Sequence, residues 1–549
     1  MREPKPSTFF GAFWVTSLST LLSRVLGLVR DIATASLLGL GRDGAMDALV
    51  VAFRIPNLGR RLLGDGALSI SYLPLFVARW EQDRRAAWQL ATGVIAWLAA
   101  VLAVIVVVGE LVLVAIWLLA GDRPGTSLLV GLSAVLLPYL WLICLAAQLS
   151  TTLVALSSFR VPALVPVALN VGWLAAAAVI PWLSSDPPVR AMLLALGIVL
   201  CGVVQLVIHF PALRDHGFRW DFDWHVSRQV VGEIIQALGP VMFALAVTQL
   251  NTLLDSFLAW GLAAEAPGTP IDWLGGIVNY PLQIGAAAAV YYGERFYQLP
   301  VGIVGQALAT VIYPLLSRHA ARGEQAQIGV DLALGLRLSW FLTMPATAGL
   351  ILLARPVTEV LFHHGEFTAT DAERTAHMIA MYATGIWAYA ALPVLIRGYY
   401  AAGDRRTPAR TSLSAVALNL VLNLALIWPL GELGLALSTA IAAVFQQALL
   451  AVRFHRRISP LPVRPLCKSV CQTLAGTGVM IAVVAGLRQL VPDDASRTLQ
   501  AIHLGCEVAA GLAVYAGVAQ LAGQREWRVL LERDSFEEKL IVPSEPESA

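Results

Sequence analysis

The chain has 549 residues, of which 58% are hydrophobic and 13% charged, and its mean hydropathy is +0.71. A soluble globular protein is nearer a quarter charged, so this composition excludes that class and indicates membrane embedding along the whole chain. The formal net charge of +2 gives no basis for nucleic-acid binding, and the five cysteines are scattered through apolar segments, as packing residues are.

The N-terminal segment places basic residues ahead of an apolar run, as a signal peptide does. The run continues to Leu40, contains Arg24 and Arg30, and is not followed by a small-residue cleavage site. We therefore interpret it as a retained first membrane span.

A membrane-spanning helix needs about 20 predominantly apolar residues, and polar or Pro/Gly-rich stretches mark its ends. On this basis the sequence predicts an all-α integral membrane protein with about 14 transmembrane helices. In chain order the predicted spans cover residues 9–39, 47–78, 87–120, 127–157, 162–183, 190–212, 232–261, 284–316, 331–354, 376–402, 410–430, 433–453, 467–491 and 499–522.

The charges of the connecting segments predict the orientation of these spans. If the N-terminus is cytoplasmic, the cytoplasmic segments hold 23 Lys and Arg residues and the opposite loops hold six. Membrane proteins carry such an excess of positive charge on the cytoplasmic side. We therefore expect both termini to be cytoplasmic.

Two pairs of similar segments indicate an internal repeat. Segment 67–75 resembles 307–315, and 167–170 resembles 416–419, so each pair joins a span to the span six later. This predicts two six-helix lobes related by a pseudo-two-fold axis along the membrane normal, plus two appended helices, and such transporters bind substrate near mid-membrane. The predicted divisions are an N-terminal lobe 1–225, a C-terminal lobe 226–460, appended helices 461–523 and a cytoplasmic tail 524–549.

Charged side chains lie where the predicted spans should be apolar. An arginine near the bilayer centre costs at least about 2.5 kcal/mol, so such residues should line a water-filled cavity or pair with acids. Five of nine fall in the first two spans, which concentrates the positive charge there. The nine are Arg24, Arg30, Arg54, Arg60, Arg61, Arg295, Arg337, Arg397 and Arg488.

Helical spacing suggests which of these arginines have acidic partners. Arg24 and Asp31 share one helix face, and Asp47, Arg54 and Arg61 share another. Some of these charges are therefore expected to form structural pairs. We favour a structural role for Arg54, Arg61, Arg337 and Arg488, and a functional role for Arg24, Arg60 and Arg295.

The planar guanidinium fork suits phosphate and carboxylate, so spare positive charge inside the membrane predicts an anionic substrate. The sequence contains no Walker A, HExxH or GxSxG motif, and we expect no enzyme activity. Residues 363–366 read His-His-Gly-Glu, without the spacing of a zinc helix, and we interpret them as a solvated outer loop.

Several short segments together resemble the MurJ (MviN) family of lipid II flippases. They are residues 23–31, 47–48, 53–62, 66–69, 292–296, 299–302, 398–401 and 407–408. The resemblance implies the fold of the multidrug/oligosaccharidyl-lipid/polysaccharide exporters, with two lobes around a central cavity. It also implies transport of lipid II, the undecaprenyl-diphosphate-linked peptidoglycan precursor, from the inner to the outer leaflet of the bacterial cytoplasmic membrane.

The resemblance also implies a set of substrate-binding residues. The arginines would engage the diphosphate, acids would lie near them, and the two appended helices would form a groove for the lipid tail. The chain departs from the family at Gln298, where Glu is frequent, at Asp65, where Glu is usual, and in a long, apolar segment 261–289 that we expect to be interfacial or re-entrant. The implied residues are Arg24, Arg30, Arg54, Arg60, Arg295, Asp31, Asp47, Asp65, Glu294 and Gln298.

Some relatives are expected to bind Na⁺, and four oxygen-bearing side chains match that site: Asp255, Asn419, Asn423 and Thr439. Hydrogen bonding between helices is the alternative role for them. No other cofactor is expected, and Na⁺ or the membrane potential would supply the energy. Membrane lipids and transient contacts with cell-wall synthesis proteins are the further partners. The alternatives are a flippase for another polyprenyl-linked glycan and a non-transporting scaffold that binds lipid II.

Overall fold

The computed structural model describes residues 6–64, 67–120, 125–223, 232, 249, 251–266, 268–271, 275–490 and 496–531. In the first part of the chain the helices are α1 (Pro6–Leu38), α2 (Ala45–Gly59), α3 (Ala67–Gln82), α4 (Arg84–Ala120), α5 (Thr126–Ala155), α6 (Arg160–Leu183), α7 (Pro187–Val207) and α8 (His209–Asp215). Residues 251–261 are also helical, and two short strands follow, β1 (Ala263–Ala264) and β2 (Leu282–Gln283).

The second part of the chain contains ten further helices. They are α9 (Ala286–Pro300), α10 (Gln306–Ala321), α11 (Gln325–Phe362), α12 (Ala369–Ala383), α13 (Ile386–Ala401), α14 (Arg406–Leu430), α15 (Glu432–Arg457), α16 (Val463–Arg488), α17 (Arg497–Leu521) and α18 (Arg525–Leu531).

The helices follow the order of the predicted spans. Over the described residues, ten helical segments are long and apolar enough to cross a membrane, and α12 with α13 forms an eleventh that is bent by 41°. Two other predicted spans correspond to α1 and to α2 with α3, which carry several of the charged side chains. Most of the seventh predicted span lies outside the described residues. The predicted all-α membrane architecture is confirmed.

The chain forms two compact units. The first comprises Met1–Ala288 with His364–Thr368, and the second comprises Ala289–His363 with Ala369–Ala549. These units follow packing and not sequence similarity, so the predicted lobe boundaries at 225 and 460, and the appended pair 461–523, stay predictions.

The internal repeat has a structural counterpart, because the same irregularity occurs in both copies. A π-helical turn, Arg60–Gly64, follows α2, and another, Val301–Gly305, joins α9 to α10. A Cβ on Gly305 would lie 2.8 Å from the carbonyl oxygen of Ala390, and a Cβ on Gly64 would lie 2.9 Å from Cβ of Ala147. Glycine therefore lets each turn approach a neighbouring helix, and π-helical turns occur frequently at functional sites.

The two appended helices are fixed to α11 by polar contacts as well as by apolar packing. The hydroxyl of Tyr515 on α17 donates to the carbonyl oxygen of Phe341 at 2.8 Å. A guanidinium N–H of Arg488 on α16 donates to the carbonyl oxygen of Leu352. Arg488 therefore has a structural contact of the kind predicted for it.

The short helix α18 adds a third attachment. Glu526 is 1% exposed, and its Oε1 accepts hydrogen bonds from Nε of Arg337 on α11 at 2.6 Å and from Oγ of Ser469 on α16 at 2.7 Å. Arg337 is thus neutralised by a carboxylate, as its predicted structural role requires. α11, α16 and α17, which correspond to the ninth, thirteenth and fourteenth predicted spans, therefore pack together within the second unit.

Two loops can be compared with expectation. Within the long segment 261–289, β1 pairs in parallel with β2 and a bridge joins Pro270 to Asn279. An interfacial or re-entrant position of this segment stays a prediction. Residues 363–366 form a loop that is partly solvated: Gly365 is exposed, whereas Oε1 of Glu366 accepts a hydrogen bond from Arg190.

Candidate functional site

Arg30 lies at the centre of a buried network in the first unit. It is 7% exposed, and its Nη2 and Nε donate to Oδ1 of Asp31 at 2.8 and 3.1 Å. Its Nη1 donates to Oδ1 of Asn170 on α6 at 3.2 Å, and the guanidinium carbon lies 4.6 Å from the centre of the Trp173 ring. The charge is therefore paired, hydrogen-bonded and stacked, which is how an arginine inside a membrane becomes tolerable.

Two further hydrogen bonds extend this network between α1 and α6. Nδ2 of Asn170 donates to the carbonyl oxygen of Ser23 at 3.0 Å, and Nε1 of Trp173 donates to Oγ1 of Thr34 at 3.0 Å. α1 and α6 are thus held together along about three turns of α1, from Ser23 to Thr34. The arrangement fixes the rotamer of Arg30 and leaves the guanidinium little freedom to move.

Arg24 is in a different environment. It lies on the same helix, but its side chain is exposed, as are those of Leu21 and Val25 beside it. Asp31, which spacing placed on the same face as Arg24, forms an ion pair with Arg30. The network around Arg30 therefore leaves the exposed guanidinium of Arg24 outside it.

The arginines of the second span lie before and within the π-helical turn. Arg54 is half-buried in α2, and Arg60, at the start of the turn, is half-buried and donates to Oδ1 of Asn57 at 3.2 Å. Arg61 is exposed and donates to Oε1 of Gln249 at 3.0 Å. Asp65, also predicted for this site, lies outside the described residues. The turn thus directs two consecutive arginines into different surroundings.

The carboxylate of Asp47 accepts hydrogen bonds from backbone amides. It is 2% exposed on α2, and its Oδ2 accepts the N–H of Gly285 at 2.6 Å while Oδ1 accepts the N–H of Ala288 at 2.8 Å. These amides lie at the N-terminus of α9, where N–H groups lack helical partners and favour negative charge. Asp47 is therefore a cap for the helix that carries Arg295.

Arg295 lies in the second unit, on α9. Its Nη2 donates to the hydroxyl of Tyr291 at 2.6 Å, and its guanidinium carbon lies 4.7 Å from the centre of the Tyr291 ring, one turn earlier. The neighbouring Glu294 is 5% exposed, and Gln298, one turn later, is exposed. Tyr291 therefore helps to orient Arg295 both by a hydrogen bond and by its ring.

Three of the four residues expected to bind Na⁺ lie together. Nδ2 of Asn419 on α14 donates to Oγ1 of Thr439 on α15 at 3.1 Å, and Nδ2 of Asn423 donates to Oδ1 of Asn419 at 2.9 Å. Asp255 is 1% exposed and belongs to the first unit. The three neutral side chains are linked by these hydrogen bonds, as in a helix–helix network, while within the described part of the chain Oδ1 of Asn423 accepts no hydrogen bond. The Na⁺ site stays a prediction.

Two groups that shape the arginine surroundings were not predicted as site residues. Asn170 was recognised only as part of the repeat, and Tyr291 was not singled out. A buried amide in an apolar span is itself a signal, because a membrane-embedded polar group needs a partner. Its partner on another helix is not readable from spacing alone.

Comparison with known proteins identifies relatives along nearly the whole chain. The family model described as lipid II flippase MurJ matches residues 35–497. A protein from Vibrio cholerae described as a probable lipid II flippase MurJ is 31% identical over 93% of this chain and 95% of its own. A protein from Burkholderia cenocepacia described as lipid II flippase MurJ is 29% identical over 82% of this chain and 84% of its own.

Solved structures show the same fold. A lipid II flippase MurJ in an inward closed conformation superimposes with a TM-score of 0.73 at 22% identity, over 94% of this chain and 99% of that one. An inward-facing multidrug transporter of the MATE family, in the MOP superfamily, gives a TM-score of 0.59 at 14% identity, over 80% of this chain and 98% of that one. The chain thus shares the fold of these two proteins.

Proposed function

The chain belongs to the MurJ family of lipid II flippases, and from this premise we propose that it moves lipid II from the inner to the outer leaflet of the cytoplasmic membrane. The observation that carries the proposal is the match of family and relatives over nearly the full length of both chains. The chain is accordingly a multi-pass membrane protein of a transporter family, and its substrate is a polyprenyl diphosphate joined to a glycan and peptide.

The arrangement of the arginines supports a role in binding the diphosphate. A guanidinium offers parallel N–H donors to phosphate oxygens, and it stays charged at any physiological pH. Arg24 is exposed within a span, and Arg60 and Arg295 are half-buried and donate hydrogen bonds to Asn57 and Tyr291. We assign diphosphate contacts to these three residues.

We assign a different role to Arg30. Asp31 already neutralises it, and Asn170 and Trp173 fix its position. Arg30 would then hold α1 against α6 so that Arg24, six residues earlier, is presented to the substrate. Asp47 has a similar positioning role for Arg295, because it caps the N-terminus of α9.

The transport cycle we propose is alternating access. With both termini cytoplasmic, as the loop charges favour, the inward state would load the diphosphate and the outward state would release it. One elementary charge that crosses the field contributes about 2.3 kcal/mol per 100 mV, so the membrane potential is a sufficient driving force. Na⁺ that drives transport would bind at the cluster of Asn419, Asn423 and Thr439. The transport cycle proposed above does not require Na⁺.

Complementation and reconstitution test the proposal. The wild-type gene should restore growth to a bacterium depleted of its lipid II flippase, and Arg24→Ala and Arg295→Ala should not. Arg85→Ala is the matched control, because Arg85 is a largely exposed arginine that pairs with Asp221 at the cytoplasmic end of α4. Proteoliposomes that contain fluorescent lipid II measure translocation directly.

The outcomes separate the candidate functions. Normal growth and normal translocation with Arg24→Ala or Arg295→Ala would refute the role given to the arginines. Wild-type protein that binds lipid II but moves none would instead support the scaffold, and movement of a different polyprenyl-linked glycan in preference would support the other flippase.

A further inference from the structure

Arg397, an arginine inside a predicted span of the second unit, lacks the acidic partner that Arg337 has. It is half-buried on α13, and its guanidinium carbon lies 5.0 Å from the centre of the Tyr313 ring on α10. Within the part of the chain that the structure describes, no group accepts a hydrogen bond from Arg397 and no carboxylate forms an ion pair with it. Arg337, by contrast, pairs with Glu526. The N–H donors of Arg397 are therefore available to a ligand.

The contact of Arg397 with Tyr313 repeats the contact of Arg295 with Tyr291. In both pairs the guanidinium carbon lies close to the centre of a tyrosine ring, at 5.0 and 4.7 Å. Both tyrosines belong to the eighth predicted span, which α9 and α10 form together. Arg295 and Tyr313 are 18 residues apart, which corresponds to about 27 Å of helix. One span therefore contacts two arginines, each oriented by a tyrosine, at levels far apart along its length.

Polar side chains mark the face of α10 on which Tyr313 lies. Thr310 and Gln306 precede Tyr313 by one and two turns on that face, and both are exposed. The adjacent face carries Val311, which is 44% exposed. Exposed apolar side chains of a spanning helix face lipid, whereas exposed polar side chains face water or a polar substrate. The Arg397–Tyr313 contact thus lies on a polar face of α10, next to the face that meets lipid.

The depth of Arg397 matches that of a phosphate group in the cytoplasmic leaflet. α12 and α13 together cover residues 369–401, which is about 50 Å of helix, whereas the hydrocarbon core of a bilayer is about 30 Å thick. Arg397 lies one turn before the end of α13, at the end that the loop charges orient towards the cytoplasm. Its guanidinium is therefore at the level of the headgroups, where the diphosphate of a lipid in the inner leaflet lies.

We propose that Arg397, oriented by the ring of Tyr313, is an entry site that binds the diphosphate of lipid II in the inner leaflet before the diphosphate reaches Arg295. This inference rests on the function proposed above, which makes lipid II the substrate. A guanidinium donates two parallel hydrogen bonds to phosphate oxygens. The tyrosine ring attracts the guanidinium without neutralising it, so the positive charge is offered to the substrate.

Binding measurements in nanodiscs test the entry site without a transport assay. The parent is the full-length Arg24→Ala/Arg295→Ala protein, which lacks two of the three residues assigned to the diphosphate, and the probes are undecaprenyl diphosphate and undecaprenol. Adding Arg397→Ala should weaken the binding of undecaprenyl diphosphate by about tenfold, because charge-assisted hydrogen bonds are lost, and should leave the binding of undecaprenol unchanged. Arg405→Ala is the matched control, since Arg405 is an exposed arginine just beyond the same end of α13.

Two results of this measurement would overturn the entry site. One is equal affinity for undecaprenyl diphosphate with and without Arg397→Ala. The other is a parent that binds undecaprenyl diphosphate no better than undecaprenol. If the parent does not fold, as judged by its unfolding temperature, Arg397→Ala and Arg405→Ala are compared in the wild-type protein with the same two probes.

Substitutions of Tyr313 test whether its ring orients Arg397. Tyr313→Phe keeps a ring beside the guanidinium and should bind undecaprenyl diphosphate as the parent does. Tyr313→Leu removes the ring, and the affinity should fall by about threefold because the cation–π contact is lost. Equal affinities of the two variants would refute the role given to Tyr313.

Translocation kinetics distinguish failure of the entry site from failure of the proposed function. In proteoliposomes with fluorescent lipid II, Arg397→Ala should raise the lipid II density that gives the half-maximal rate by about tenfold, with a smaller effect on the maximal rate. Its unfolding temperature should equal that of the wild type, which a structural role would not allow. An unchanged half-saturating density overturns the entry site while the flippase function stands. If the wild type moves no lipid II, the proposed function fails, and the binding measurement still decides the entry site.

Discussion

Asp47 and Ala288 are 241 residues apart in sequence, yet the carboxylate of Asp47 accepts the backbone N–H of Ala288 at 2.8 Å. Its other oxygen takes the N–H of Gly285. Asp47, in the second predicted span, thereby caps the N-terminus of α9, which begins the eighth. The capped helix carries Arg295, so the position of that arginine depends on a residue far from it in sequence.

Removal of this cap should destabilise the protein. Asp47→Ala is expected to lower the free energy of unfolding by about 1 to 2 kcal/mol, because two helix N–H groups lose their acceptor. Asp47→Asn keeps one acceptor oxygen and should cost less. Thermal unfolding of the purified protein in detergent measures both. Asp43→Asn is the control, since Asp43 is an exposed acid in the preceding turn; equal midpoints for Asp47→Asn and Asp43→Asn would contradict the cap.

Lysine should replace Arg24 more successfully than it replaces Arg30. Lysine retains the charge but cannot reproduce the planar contacts of Arg30 with Asp31, Asn170 and Trp173. Arg30→Lys is therefore expected to lower the unfolding temperature as well as lipid II translocation, whereas Arg24→Lys should leave the unfolding temperature unchanged. Identical unfolding temperatures for Arg30→Lys and wild type would show that the network is not structural.

The π-helical turn of the second unit should not accept a methyl group. In Gly305→Ala the new Cβ would meet a backbone carbonyl oxygen that cannot turn aside, and a loss of about 1 to 3 kcal/mol in the free energy of unfolding is expected. Gly349→Ala is the matched control inside α11, where nothing lies within 4 Å of the Cβ position. The control should be neutral or stabilising by up to about 1 kcal/mol. Similar unfolding midpoints for the two variants would contradict the close approach.

The attachment of α18 should depend on pH. Burial raises the pKa of Glu526, but the hydrogen bond from Ser469 and the charged contact with Arg337 more than offset it, so the pKa lies below the ordinary value of 4.5. The group therefore stabilises the fold above that value, and the contribution disappears as the pH falls through the lowered pKa.

Glu526→Gln removes this contribution. At neutral pH it should lower the free energy of unfolding by about 1 to 3 kcal/mol, because a charge-assisted hydrogen bond is lost. The difference from wild type in the unfolding midpoint should shrink on acidification below pH 4.5. A difference that is constant from neutral to acidic pH would argue against the pairing, and Glu359→Gln in an exposed pair is the control.

The spans could be predicted because the requirement for them is local. A bilayer imposes a length and an apolar composition on each helix, and both are properties of consecutive residues. α14, α16 and α17 consequently begin within a few residues of their predicted starts. The two π-helical turns directly precede the repeated segments 67–75 and 307–315.

The partners of the charged residues could not be predicted in the same way. Spacing along one helix suggests only partners on that helix, but side chains also bind groups that the fold brings near them. Asp31 pairs with the adjacent Arg30, and Asp47 binds the backbone of another span. For the same reason the contacts of His-His-Gly-Glu at 363–366 could not be predicted, since the carbonyl oxygen that Glu366 contacts on α1 lies more than three hundred residues earlier.

The three attachments of α16, α17 and α18 to α11 have a consequence for how this protein can be shortened. Removal of the chain after residue 460 would leave Arg337 without the carboxylate of Glu526. It would also expose the face of α11 around Phe341, on which Tyr515 packs. The terminal helices are thus not an accessory that can be trimmed from a self-sufficient bundle. Heterologous expression of a twelve-helix version should yield an aggregating product unless Arg337 is also replaced by an apolar residue.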